Sequence, residues 1–176
     1  MVRALRIPAE ADEPITELEV FKLEDYQAAV GGWIEPVDVP DLGVTIYVHE
    51  EGLIMRLPFN SRVTFLWWHF VPEARQKAML VGPALVVGLP DRNGESTDIP
   101  APVVEMIGRP GLWRVELKTH GDPKWYRNQA TYTDYFEAVV WAMVTLERWA
   151  QAEDTRVVPV PPNDLTGRVA SPPTAA

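Results

Sequence analysis

A double glycine behind a short helical segment constrains the fold of this chain more than any other feature. The run Val30-Gly31-Gly32-Trp33-Ile34-Glu35 places two residues without side chains directly before bulky ones. Glycine reaches the left-handed conformation that ends a helix without steric penalty. We therefore predict a helix over residues 23–30 that stops at Gly31, and a strand that follows at once.

The residues after this break predict a β-hairpin. A turn is expected at residues 36–40, and β-branched side chains then favour a strand at residues 43–48. Glu50-Glu51-Gly52 is predicted to reverse the chain into a second strand at residues 53–57. Asn60 closes the unit.

Four further elements are predicted in the first part of the chain. Alternation of apolar and polar residues predicts strands at residues 4–7 and 15–20. An unbroken apolar run predicts a buried strand at residues 84–87. Residues 101–107 are expected to form a helix that ends at Gly108.

The segment between the hairpin and the buried strand is unusually bulky. Residues 63–70 contain Trp67 and Trp68, with large neighbours on both faces. Such a run must be covered on both sides or meet a partner. Residues 72–80 have a helical composition, and Pro72 suits the first turn of a helix.

A second unit is predicted to begin at Arg109-Pro110-Gly111. Its predicted strands are residues 113–119, 129–132 and 156–160. The sequence as a whole thus predicts an α+β protein, in which a small mixed or antiparallel sheet with short helices precedes a compact β-β-α-β unit. We expect a lobe at residues 1–108, this unit at residues 109–162, and a disordered tail rich in Pro, Ala, Ser and Thr at residues 163–176.

The long helix of the second unit is predicted to have two contact faces. It is expected to begin at the N-cap Thr133, with Asp134 in its first turn. The predicted core stripe, spaced three and four residues apart, is Phe136, Val139, Val140, Met143, Leu146 and Ala150. Trp141 falls on the opposite side, which predicts a second contact surface that could dock on the first lobe.

The composition excludes several kinds of site. The 176 residues include no cysteine, which excludes disulfides, thiolate nucleophiles and Cys-based metal centres. The net charge is −9, of which −8 falls in residues 1–50, so direct binding of nucleic acid is not expected. No apolar run approaches the roughly 18 residues of a membrane span, and the N-terminus lacks the apolar region of a secretory signal. We expect a cytosolic protein without a membrane partner.

Three stretches of the first lobe carry a resemblance to a known family. They are residues 30–35, then Glu51-Gly52 with Leu57-Pro58-Phe59-Asn60, then Val81-Gly82-Pro83-Ala84-Leu85-Val86-Val87-Gly88. In order and spacing they resemble the domain-of-unknown-function family 3846, which is found mainly in bacteriophages and bacterial mobile elements. The chain departs from the family pattern between Trp67 and Leu80, where the family is typically shorter.

The second unit carries a resemblance of its own. Its residues are Trp113, Asn128, Tyr132-Thr133, Arg148-Trp149 and Val157-Val158-Pro159. They look like a small segment common in actinobacterial phage and plasmid proteins. Neither resemblance implies an activity; together they imply an accessory protein of a phage or mobile element, made in the host cytoplasm.

The residues that usually carry chemistry form no recognisable motif. His49-Glu50-Glu51-Gly52-Leu53 begins like a zinc-protease motif, but Leu53 stands where the second histidine is required. Neither His69 nor His120 has a cysteine or a paired histidine to complete a metal site. Residues 82–88 lack the ending of a phosphate loop. We predict no metal, no cofactor and no catalytic residue.

Two other groups are candidates for binding. Asn60 is the strongest single candidate, although an Asn after Pro-Phe more often caps a turn or binds its own backbone. The basic and aromatic cluster Lys124-Trp125-Tyr126-Arg127, with Arg114 and Lys118, could stack a base while its cations meet phosphate. The alternative, in which the aromatic rings cap a core and the cations stay solvated, is the commoner one.

Acidic residues concentrate in the first third of the chain. The candidates for one negative face are Glu17, Glu19, Glu24, Asp25 and Glu35, with Asp12, Glu13, Asp38 and Asp41. Such charges usually form a solvated surface that keeps a protein soluble. Aligned at the spacing of phosphates, they could instead occupy the DNA groove of a host enzyme.

These observations favour a non-enzymatic accessory protein that binds a host or phage protein through Trp141 or through Trp67 and Trp68. An acidic DNA mimic that counters host defence is the first alternative, and it requires the acidic residues to form one face. A small-molecule or nucleotide-binding protein or a small hydrolase is the second. It requires one of the three histidines to converge with carboxylates in a pocket.

Overall fold

The computed structural model describes residues 1–164 and has an α+β fold with two antiparallel sheets. Close contacts divide the chain into two units, Met1–Arg109 and Pro110–Ala176. Within the described residues there are four α-helices, a five-stranded sheet and a three-stranded sheet. The predicted fold class is confirmed. Most of the predicted tail at residues 163–176 lies outside the described residues, and Pro162–Asp164 form a single 3-10 turn.

The first unit is built on the five-stranded sheet, whose strand order is β2-β1-β5-β4-β3. All four neighbouring pairs are antiparallel. The strands are β1 Val2–Ile7, β2 Thr16–Val20, β3 Ile34–Val39, β4 Val44–His49 and β5 Ala84–Gly88. The predicted strands at residues 4–7, 15–20 and 84–87 are therefore confirmed.

Helix α1, Leu23–Val30, ends where the double glycine predicted. Gly31 has a φ of 87°, and its N–H donates to the carbonyl oxygen of Gln27 at 2.8 Å. The helix packs on one face of the sheet, where a core cluster consists of Ala4, Val20, Ala29, Val30, Leu85 and Val87. On the opposite face Leu5, Ile46 and Val86 are fully buried.

The hairpin lies earlier in the chain than the sequence predicted. β3 pairs with β4 through a 3-10 turn at Pro40–Leu42, so the predicted turn at residues 36–40 is largely strand. Pro36 is tolerated there because β3 is an edge strand, in which one side of the backbone needs no ladder partner. The predicted strand at residues 53–57 is wrong, because residues 50–56 form successive turns.

The bulky run is a helix, α2, Ser61–Phe70. It buries Val63 and Leu66 on one side and leaves Trp67 and Trp68 half-buried. The helix predicted at residues 72–80 is wrong, since only Pro72–Ala74 form a 3-10 turn. Gln76 then has a φ of 61°, which a helix cannot contain. Helix α3, Ala101–Ile107, is confirmed and ends at Gly108.

The second unit is a three-stranded antiparallel sheet, β7-β6-β8, with one helix. The strands are β6 Trp113–Thr119, β7 Trp125–Arg127 and β8 Ala152–Pro159, and the helix is α4, Tyr135–Arg148. α4 packs mainly on β6 and β8. The strand predicted at residues 129–132 is wrong: Tyr132 makes only an isolated bridge to Trp113.

Helix α4 begins one residue later than predicted. Asp134 is the N-cap, and its Oδ1 accepts a hydrogen bond from the Phe136 N–H at 2.9 Å. Of the predicted core stripe, Phe136, Val139 and Met143 are buried. Val140 and Leu146 are half-buried, and Ala150 lies exposed beyond the end of the helix.

Candidate functional site

A group of large apolar side chains forms an exposed surface on the first unit. Leu53, Phe59, Trp68 and Met79 line one cavity of about 500 Å³, together with Gln76, Lys77 and Ala78. We call these seven residues the Trp68 surface. Ile54 and Met55 follow Leu53 in the same turn and are 84% and 55% exposed.

The turns at residues 50–56 keep these side chains in solvent. The Gly52 N–H donates to the His49 carbonyl oxygen at 3.0 Å, and the Met55 N–H donates to that of Glu51 at 2.9 Å. Arg56 has a φ of 55°, which ends the succession of turns. Because these turns hydrogen-bond their own backbone N–H and C=O groups, the segment does not need to pair with a strand. Its apolar side chains therefore stay uncovered.

Aromatic contacts fix Trp68 at this surface. The Phe65 ring meets those of Phe59 and Trp68 edge to face, with ring centroids 5.9 and 5.6 Å apart. The Trp68 indole N–H donates to the carbonyl oxygen of Ala78 at 2.8 Å. A ring held in this way has little conformational freedom left to lose when a partner binds.

The charge at the Trp68 surface is positive. Lys77 is the one charged residue that lines the cavity, and its ammonium makes no ion pair within residues 1–164. Trp67 is half-buried on the same helix and does not line the cavity. The sequence identified Trp68, but it missed the residues of the preceding turn because they were predicted to be strand.

Asn60 lies fully buried in the first unit rather than at a surface. Its Nδ2 lies 3.1, 3.2 and 2.9 Å from the carbonyl oxygens of Ile7, Pro8 and Gly82. Its Oδ1 accepts a hydrogen bond from the Val63 N–H at 3.3 Å, which caps α2. These contacts give the amide a structural role that joins three segments of the chain.

Arg62 supports the same junction, although the sequence did not single it out. Its guanidinium donates to the carbonyl oxygens of Pro8, Glu10 and Glu13 at 2.8, 2.7 and 2.9 Å. These bonds hold the loop between β1 and β2 against α2. The sequence signal for this role is an arginine beside an apolar run, since a guanidinium that is buried there needs several hydrogen-bond acceptors.

The basic and aromatic cluster of the second unit is bound to carboxylates. Glu116 accepts from Arg114 at 2.8 Å and from Arg156 at 2.7 Å. Asp164 pairs with Arg114 at 2.8 Å and with Arg127 at 3.1 Å. Phosphate would therefore have to compete with acids that are already in place.

The Trp125 ring of this cluster also has a partner. The Arg156 guanidinium lies over the Trp125 ring, 4.2 Å from its centroid. Lys118 pairs with Glu153 at 3.7 Å. Lys124 lies exposed next to Trp125 and makes no ion pair within the part of the chain that the structure describes.

Glu116 is the most deeply buried acid of this network, at 6% exposure. Burial opposes its charge and raises its pKa, but the hydrogen bonds from Arg156 and Arg114 outweigh burial, so its pKa lies below the ordinary value. The pKa of Asp164 is lowered as well, chiefly by the hydrogen bond from Arg114. Both acids are therefore charged at neutral pH.

Trp141 lines a second cavity, of about 550 Å³, within the second unit. We call it the Trp141 cavity. Its apolar wall contains Val115, Leu117 and Val144 besides the half-buried Trp141. Trp141 thus lines a cavity beside β7 that α4 forms with β6, and the second contact surface predicted at Trp141 stays a prediction.

The acidic candidates do not lie on one strand or one edge. Glu17 and Glu19 lie on β2 and Glu35 lies on β3, at opposite edges of the five-stranded sheet. Asp25 accepts hydrogen bonds from the N–H groups of residues 21 and 22 at the start of α1. Glu24 lies 3.9 Å from the Lys22 ammonium.

The histidines lie apart along the chain. His49 is buried, and its Nδ1 accepts from the Glu51 N–H at 3.1 Å. The His69 ring meets that of Phe70 edge to face, and His120 lies exposed in the second unit. Among residues 1–164 there is no group of three or more side chains suited to holding a metal ion. The same residues contain no helix that is long and apolar enough to span a membrane.

The fold and these surfaces define a two-unit α+β protein whose described residues include the exposed Trp68 surface and the Trp141 cavity. Residues 2–109 match a family model described as a domain of unknown function, DUF3846. This match spans more than half of the chain, and the chain belongs to that family. The resemblance of the first lobe is thereby confirmed. No curated protein and no solved structure matches the chain.

Proposed function

We propose that this protein is a non-enzymatic accessory protein of a phage or mobile element, and that it binds a host or phage protein in the host cytosol. The observation that carries the proposal is the Trp68 surface. Contiguous exposed apolar side chains often mark protein–protein interaction sites. A tryptophan fixed within such a patch is a common hot spot of binding energy.

The partner that fits this surface is an amphipathic helix. Its apolar face would place large side chains over Leu53, Phe59 and Met79, in the way that helices bind apolar grooves. An acidic residue beside that apolar face would meet Lys77, the charged residue at the cavity. Ile54 and Met55 would extend the contact along the turn.

Neither a DNA mimic nor a hydrolase is favoured by a specific observation. A DNA mimic requires one negative face, whereas Glu17 and Glu35 lie on opposite edges of the sheet. A hydrolase requires a histidine that converges with carboxylates, whereas the Nδ1 of His49 is occupied by a backbone N–H. The DNA mimic enters the experiment as an outcome.

The proposal is tested by quantifying the proteins that copurify with the tagged chain from its host. The double variant Leu53→Glu and Ile54→Glu places two charges on the surface. The matched control, Phe21→Glu and Leu23→Glu, alters two side chains of similar exposure, 66% and 51%, at the start of α1.

A stoichiometric partner should be lost by more than tenfold from the Leu53/Ile54 variant and retained by the control. Equal retention by both variants would contradict the proposal. Recovery of a DNA-processing enzyme whose binding falls steeply with salt, and is lost from Glu17→Gln and Glu19→Gln instead, would favour the DNA mimic.

A further inference from the structure

The Trp141 cavity arises because one helix cannot cover three strands. α4 packs mainly on β6 and β8, so the inner face of β7 is left open beside the helix. The space between Tyr126 and Trp141 is the cavity of about 550 Å³. Sites for small molecules usually have volumes of roughly 300–1,000 Å³. The cavity therefore has the size of a ligand site.

The floor and one wall of the cavity are apolar. Val115 and Leu117 alternate along β6 and so face the same side of the sheet. Trp141 and Val144 are three residues apart on α4 and so lie on one face of the helix. An apolar or aromatic body is the part of a ligand that these side chains would bury.

The polar residues at the rim offer donors. The Asn128 Oδ1 accepts from the Ala130 N–H at 3.0 Å, and its amide N–H groups have no partner within residues 1–164. The Arg148 guanidinium likewise makes no ion pair with any residue that the structure describes. The Tyr126 hydroxyl already donates its proton to Asp122, at 2.5 Å.

Charge sets the cavity apart from the chain around it. The net charge of the protein is −9, yet the lining of the Trp141 cavity includes Arg127 and Arg148 and, among the described residues, neither Asp nor Glu. Arg127 pairs with Asp164 at 3.1 Å, whereas Arg148 makes no ion pair among the described residues. A carboxylate accepts two parallel hydrogen bonds from a guanidinium, so it is a small anion whose geometry Arg148 matches.

We propose that the Trp141 cavity binds a small amphipathic anion, an apolar or aromatic body that carries one carboxylate. The body lies against Leu117 and Trp141, and the carboxylate accepts hydrogen bonds from Arg148 and Asn128. All of the described lining residues belong to the second unit, and none of them belongs to the Trp68 surface.

The test is a titration of the full-length protein with octanoate and, as its uncharged counterpart, 1-octanol. The readout is the NMR resonance of the Trp141 indole N–H, assigned by its loss in Trp141→Phe. Arg148→Gln removes the proposed cation. Lys118→Gln is the matched control, since Lys118 lies on β6 next to Leu117 and faces the other side of the sheet.

Octanoate should shift the Trp141 resonance and bind at least tenfold more tightly than 1-octanol. Arg148→Gln should lower the affinity for octanoate by about tenfold, because one charge-assisted contact is lost, and should leave the affinity for 1-octanol unchanged. Lys118→Gln should change neither affinity. Equal affinity for the two probes, no shift with millimolar octanoate, or an equal loss in Lys118→Gln would each overturn the proposal.

Discussion

At the scale of single residues, Asn60 joins a helix start to the backbone of two other segments. Its Oδ1 caps α2, while its Nδ2 meets three buried carbonyl oxygens. The sequence indicated a capping role as the commoner one for an Asn in this position. It could not indicate the three carbonyls, because residues 7, 8 and 82 are distant along the chain.

Asn60→Ala should lower the free energy of unfolding of the first unit by about 2–4 kcal/mol. A lost N-cap costs about 1 kcal/mol, and carbonyls left without donors in a buried site add about 1–3 kcal/mol. Urea unfolding measures this, with Asn93→Ala in an exposed turn as the control. A variant that keeps its stability and loses only partner binding would make Asn60 a functional residue.

The lowered pKa of Glu116 predicts how the stability of the protein depends on pH. Because its pKa is lowered in the folded protein, its stabilising contribution is present above the unfolded pKa of about 4.3 and is lost as the pH falls through the folded value. Glu116→Gln should therefore destabilise the protein by about 1–3 kcal/mol at pH 7. The difference from the unsubstituted protein should narrow at pH 3.

Urea unfolding at both pH values tests this expectation. Glu153→Gln is a suitable control, because Glu153 pairs with Lys118 at 3.7 Å near the surface and should contribute less than about 1 kcal/mol. A Glu116→Gln difference that is the same at pH 3 and pH 7 would show that the ion pairs contribute nothing that depends on charge.

At the scale of elements, glycine was the most informative residue in the sequence. Gly31 and Gly108 end α1 and α3 where they were predicted to, because a helix end is a local property of the backbone. The hairpin was placed wrongly because strand pairing is not local. Whether residues 36–40 or residues 53–57 pair with β4 depends on contacts across the sheet, which the local sequence does not specify.

Helix α4 allows one such local rule to be tested. Asp134→Ala should destabilise the second unit by about 1 kcal/mol, since its Oδ1 caps the helix. Thr133→Ala, one residue earlier and exposed, should stay within about 0.5 kcal/mol of the unsubstituted protein. Thermal unfolding compares the stabilities of the two variants directly. A larger loss of stability in Thr133→Ala would make Thr133 the N-cap, as the sequence predicted.

At the scale of the whole molecule, the residues of the proposed sites are harder to predict than those of the fold. The sequence singles out Trp68 because it lies in a run with large side chains on both faces, and Trp141 because it falls opposite the predicted core stripe. Large aromatic side chains in such positions need to be covered. It did not identify Leu53, Ile54 or the cavity beside β7, since exposure depends on which strands and helices pack together. The pairing of Arg114 and Arg127 with Glu116 and Asp164 likewise depends on contacts between elements, which the sequence does not specify.

The central claim, that the Trp68 surface binds a partner protein, is tested most directly by photocrosslinking in the host. A photoreactive phenylalanine analogue replaces Ile54, which is 84% exposed beside Leu53, or Phe21, which is 66% exposed at the start of α1. Irradiation should give one dominant protein adduct from position 54 and none of that mass from position 21. Lys77→Glu should reduce the adduct severalfold. The same adducts from both positions, or none from position 54, would contradict the claim.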